Sequence, residues 1–143
     1  MSLGTFGAVL KFAMELEAMG VTYYETATTI TQNQELKNQF ESLIAQSQRR
    51  KQILLRVRRE NTTEMILEPI SGLNREKYGL QTECPPECPD AQLIQHASTI
   101  EGQIHQFYID AAEKILFLSE VAEIFERLAE EHATIKNRLQ NAP

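Results

Sequence analysis

A glutamate stands in the middle of an apolar helical stripe near the start of the chain, and this placement constrains the fold more than any figure of composition. Phe6, Leu10, Ala13, Glu17, Gly20, Tyr24 and Ala27 are spaced by 4, 3, 4, 3, 4 and 3 residues, the spacing of one face of an α-helix. A carboxylate on a buried face is costly unless cations or hydrogen-bond donors meet it. The rest of the chain must therefore bring partners to Glu17.

The 143 residues are enough for one domain with a full core. Glu, Gln, Ala, Leu, Ile, Lys and Arg are plentiful beside 6 glycines and 5 prolines, which points to an all-α fold. The net charge of -6 argues against nucleic acid or an anionic membrane as the main partner. Lys11, Glu15 and Glu17 break up the N-terminal apolar residues, so no secretory signal is expected, and no apolar run approaches the roughly 18 residues of a membrane span. Two cysteines, Cys84 and Cys88, are too few for a disulfide framework. A soluble, cytoplasmic protein is expected.

Periodicity predicts helices over about residues 3–30, 34–61, 90–116 and 119–141. The first two and the last two are joined by short links, which makes each pair an antiparallel hairpin. Residues 62–89 are punctuated by Pro69, Gly72, Gly79, Pro85, Pro86 and Pro89, and read as a crossover. Its apolar residues Met65, Ile66, Leu67, Ile70, Leu73, Tyr78 and Leu80 suit it to lie against the bundle, with a short helix of its own.

The third helix repeats the first. At an offset of 84, Ala13 falls on Ala97, Glu17 on Glu101, Tyr24 on Tyr108 and Ala27 on Ala111. Ile94, Ala97, Glu101, Ile104, Tyr108, Ala111 and Ile115 again form one stripe with a central glutamate. The same offset carries Ile44-Ala45 onto Leu128-Ala129, Gln48 onto His132 and Lys51 onto Ile135. Two related hairpins, a long crossover and a mid-helix glutamate in each half describe a ferritin-like four-helix bundle.

The paired patterns Glu17 to Tyr24 and Glu101 to Tyr108 make the chain resemble the rubrerythrin-like branch of the ferritin superfamily. That resemblance implies a di-iron or di-manganese carboxylate site with two single glutamates and two Glu-x-x-His pairs. Here the pairs are missing: Gln48 and Lys51 stand where the second helix should carry Glu and His, and His132 and Ile135 where the fourth should. The metal set is thus reduced to Glu17, Glu101 and His132, expected to hold one divalent cation (Fe, Mn or Zn) or none. The four-cysteine iron centre of some rubrerythrins is also missing, so redox activity would need an external reductant.

Two readings compete for the carboxylates. In one, a metal-binding protein with an incomplete site retains oxygen or peroxide chemistry by resemblance. In the other, the Lys51 ammonium fills the old metal position, and the chain is a non-catalytic scaffold or partner-binding module, expected as a homodimer. Tyr24 and Tyr108 are either core aromatics or donors to the opposite glutamate. His105, four residues after Glu101, reads as a solvent or interface residue. The basic second helix (Arg49, Arg50, Lys51, Arg56, Arg58, Arg59) and the acidic fourth (Glu120, Glu123, Glu126, Glu130, Glu131) suit charge pairing between helices. Cys84 and Cys88 read as ordinary free thiols.

Overall fold

Two of the four helices begin where the sequence offers the backbone a side-chain cap. In the computed structural model, which describes residues 3–64 and 70–141, helix α1 spans Phe6–Ile30 and α2 spans Gln34–Glu60. Helix α3 spans Asp90–Lys114, and α4 spans Ser119–Gln140. The Thr5 hydroxyl accepts from the Ala8 amide at 3.1 Å, and the Asn33 side chain accepts from the Leu36 amide at 3.2 Å. The first helix therefore starts at Phe6 rather than residue 3, because Thr5 is extended and serves as its cap. The third stops at Lys114, because Leu118 N–H bonds back to Ile115 C=O at 2.8 Å and turns the chain into α4.

Helix α1 packs on α2 and α3, and α3 packs on α4. The two links are three and four residues long, 31–33 and 115–118. Thr31, buried in the first link, donates to Asp90 at 2.6 Å and so ties the end of α1 to the start of α3. The tyrosine contacts described below pair rising numbers in α1 with falling numbers in α3, so these helices run antiparallel. Small residues let them approach closely. A Cβ on buried Gly20 would lie 3.9 Å from Ile104 Cδ1, an ordinary contact distance.

Between α2 and α3 the described residues hold two 3₁₀ turns, Thr62–Glu64 and Arg75–Tyr78, and no strand. Ile70, Leu73 and Tyr78 are buried, and Leu80 packs on the core. Met65, Ile66 and Leu67 lie outside the described residues. Backbone bonds from Leu3 N–H to Leu73 and from Ile70 N–H to Gly4, both 2.9 Å, hold this segment against the N-terminus. The Tyr78 hydroxyl adds a bond to Asp110 at 2.5 Å, and Arg75 adds an ion pair to Glu15 at 2.6 Å. Gly72 adopts φ +87°, a conformation that a side chain would strain. Among the described residues no helix is long and apolar enough to cross a membrane.

Candidate functional site

Four charged side chains meet in the dry centre of the bundle, one from each helix. Glu17, Arg50 and His132 are fully buried, and Glu101 is 1% exposed. The Arg50 Nε–H donates to Glu17 Oε1 at 3.0 Å, and its Nη2 donates to buried Ser47 Oγ at 3.0 Å. His132 lies between the two acids. Its Nε2 donates to Glu17 Oε2 at 2.9 Å, and its Nδ1 to Glu101 Oε1 at 2.6 Å.

The tyrosines close the cluster across the two halves. Tyr24 of α1 donates to Glu101 Oε2 of α3 at 2.6 Å, and Tyr108 of α3 donates to Glu17 Oε2 of α1 at 2.7 Å. Tyr108 also stacks on the His132 ring, with centroids 5.6 Å apart and planes 19° apart. All four carboxylate oxygens and both imidazole nitrogens thus have protein partners.

These contacts fix the protonation states. Burial alone would raise the Glu17 carboxyl, but the charges of His132 and Arg50 and the bonds from His132 and Tyr108 outweigh it and hold the group at about 2. Burial alone would lower His132, but the flanking Glu17 and Glu101 push it up to about 9, so at neutral pH it is an imidazolium donating from both nitrogens. Arg50, opposed by burial, is raised by Glu17 and Glu101. The Tyr24 and Tyr108 hydroxyls are raised well above their usual value, first by burial and then by the glutamates they serve, and remain donors. Two carboxylates against one guanidinium and one imidazolium leave the core without net charge.

The cluster reaches the surface through one acid. Arg50 Nη1 bonds to Glu131 Oε1 at 3.2 Å, and the same oxygen accepts from exposed Arg49. The basic second helix and the acidic fourth are thereby linked through Arg49, Arg50 and Glu131.

The cation that meets Glu17 is Arg50 and not Lys51. Lys51, one position further round α2, is half-buried, and Gln48 is exposed. The reason is register. The link 115–118 is one residue longer than 31–33, so the inward faces of α2 and α4 correspond at an offset of 85 and not 84. Leu36, Phe40, Leu43 and Leu54 then match Val121, Phe125, Leu128 and Leu139, all buried. In that register Ser47 answers to His132 and Arg50 to Ile135. The signal was present in sequence: Leu36, Phe40, Leu43, Ser47, Arg50, Leu54 and Val57 step by 4, 3, 4, 3, 4 and 3.

A dinuclear metal centre does not fit these residues. The positions that would complete it hold a serine, an arginine and an isoleucine, and an arginine at the centre repels a cation. Among the described residues, no three His, Cys, Asp or Glu side chains are arranged to hold a metal ion, and His132 is bonded to both Glu17 and Glu101. His105 is half-buried, and its Nδ1 donates to Ala129 C=O at 2.8 Å, away from Glu101. Cys84 and Cys88 are free thiols, the second buried. Compared with protein-family models, with curated proteins and with solved structures, the chain matches none.

Proposed function

We propose that this chain is a rubrerythrin-like, ferritin-type bundle in which protein cations occupy the place of the metals, and that it acts as a non-catalytic helical scaffold or partner-binding module, as a homodimer. The observation that carries the reading is Arg50, fully buried and bonded to Glu17, with the His132 imidazolium between both glutamates. The antiparallel α1 and α3, each with a mid-helix glutamate served by the other's tyrosine, support the ferritin-type relationship. So does the order of the helices: with α3 antiparallel to α1 and α2 returning along α1 after a three-residue link, α2 and α3 share a direction, as in a ferritin-type bundle.

A second reading, one divalent cation held by Glu17, Glu101 and His132, draws on the convergence of these three side chains. It requires the imidazolium to lose one proton and offer the freed nitrogen to the ion, against the attraction that raises its pKa.

Metal analysis of protein purified without a metal-affinity step, with thermal-shift titration of Fe(II), Mn(II) and Zn(II), separates the two. The scaffold reading predicts no bound metal and no shift beyond that of Glu17→Gln. A saturable rise in Tm that Glu17→Gln abolishes would replace it with the second reading.

A further inference from the structure

Helix α1 packs closely on α2 and α3, and α3 on α4, but α2 and α4 do not pack closely on each other, and a groove runs between them along the bundle. Cavities of about 500, 450 and 220 Å³ follow one another in it, from the end where α4 begins to the end where it stops. Its α4 wall carries Glu120, Ile124, Arg127, Glu131, Thr134 and Arg138. These step by 4, 3, 4, 3 and 4 residues, so they form one stripe of the helix, and none of them is buried.

The stripe is complementary to its own reverse. Ala129 lies at its centre, nine residues from both Glu120 and Arg138 and two from both Arg127 and Glu131. When a second copy of α4 lies antiparallel on the first about that centre, Glu120 faces the partner's Arg138, Arg127 faces the partner's Glu131, and Ile124 faces the partner's Thr134. A two-fold axis makes each pairing twice, so every charge of the stripe meets its opposite. Parallel pairing about a two-fold axis would instead set each charge against its own copy. Within one chain these charges are largely unspent. Among the described residues Glu120, Arg127 and Arg138 take part in no ion pair, and Arg127 precedes Glu131 by four residues, the weaker order for a pair within one helix. Glu131 meets Arg49 and Arg50 through Oε1 alone. Phe117, 45% exposed at the head of the groove, adds apolar surface there.

We propose that the occupant of this face is a second copy of the chain, its α4 lying antiparallel on the first about Ala129, with Glu120 paired to the partner's Arg138 and Arg127 to the partner's Glu131. The inference rests on the homodimer reading above and gives that dimer its surface. Because the stripe is mostly charged and exposed, the contact is held by ion pairs more than by apolar burial and weakens with salt.

The test is sedimentation equilibrium of the full chain and its charge variants. A dimer is expected, with a Kd that rises about tenfold between about 50 and 500 mM NaCl. Arg138→Glu and Glu120→Arg should each weaken it by about tenfold or more, because each sets like charges face to face twice. The double variant Glu120→Arg with Arg138→Glu exchanges the two partners and should return Kd to within about threefold of the wild type. Lys136→Glu makes the same change of net charge as Arg138→Glu but lines the α3–α4 face, and should leave Kd unchanged. None of the substituted residues is buried, so each variant should keep the wild-type helix content by circular dichroism. A chain that stays monomeric up to about 1 mM overturns this contact and the homodimer reading together. A dimer that Arg138→Glu does not weaken, that Lys136→Glu weakens equally, or that the double variant fails to restore overturns this contact and leaves the homodimer standing.

Discussion

Helices α1 and α3 on the one hand, and α2 and α4 on the other, treat the same core position differently. On α1 and α3 the two halves match: Glu17 answers to Glu101 and Tyr24 to Tyr108, and each tyrosine donates to the other half's acid. On α2 and α4 they do not. Ser47 and Arg50 face the core from one side, His132 and Ile135 from the other. Two carboxylates stand in symmetric places, while the groups that neutralise them are an arginine on one helix and an imidazolium on the other. Charge balance and hydrogen-bond satisfaction constrain such a core, and residue-by-residue symmetry does not.

The sharpest way to break this comparison is to remove the arginine. Arg50→Met should destabilise the protein by about 3–5 kcal/mol, because Glu17 would lose its guanidinium in a dry core. Lys51→Met, its immediate neighbour, should change stability by less than about 1 kcal/mol. Denaturant unfolding with unchanged m would measure both. Equal losses would show that the register at offset 85 is mistaken.

His132 should make itself known through pH. Its folded pKa is raised, so its contribution is fully present below the unfolded value of 6.5 and is lost as pH rises through about 9. Glu17 is depressed, so its contribution is present above the unfolded value of 4.5 and lost as pH falls through about 2. Stability should therefore be greatest between about pH 4.5 and 6.5, and decline by about 3 kcal/mol by pH 9. Both shifts report largely the same Glu17–His132 contact and are not summed. His132→Gln should flatten the alkaline decline in urea titrations at successive pH values.

The symmetric half can be tested by paired deletions. Tyr24→Phe and Tyr108→Phe each remove one buried bond to a carboxylate, and each should cost about 1.5–3 kcal/mol. The two costs should agree within about 1 kcal/mol if the halves are equivalent, and a large disparity would confine the symmetry to sequence. Gly20→Ala should have the smallest effect. The added Cβ meets only ordinary contact, so helix propensity should stabilise the protein by up to about 1 kcal/mol.

Much of this was legible beforehand because burial writes a period into helices. The stripes through Glu17 and Glu101 mark the faces of α1 and α3, and proline and glycine mark the long connection. Glu17, Glu101, Tyr24 and Tyr108 stand out by spacing and His132 only through the family resemblance, and the five side chains lie together. Arg50 does not stand out, for a physical reason. Arg49, Arg50 and Lys51 are consecutive cations pointing about 100° apart; the phase of the α2 stripe decides which of them faces inward, and the extra residue of the 115–118 link hides that phase from a comparison of the halves at a fixed offset of 84. Residue identity could not resolve that choice, while the period of the α2 stripe could.

The central claim is that a protein-borne charge, and not a metal, neutralises the buried glutamates. It is tested most directly by following the ring nitrogens of His132 with ¹⁵N NMR across pH. The account predicts that both nitrogens are protonated at pH 7.5 and titrate near pH 9, with no change when Fe(II), Mn(II) or Zn(II) is removed by a chelator. A neutral His132 at pH 7.5, or one whose nitrogens become doubly protonated only after chelation, would contradict it.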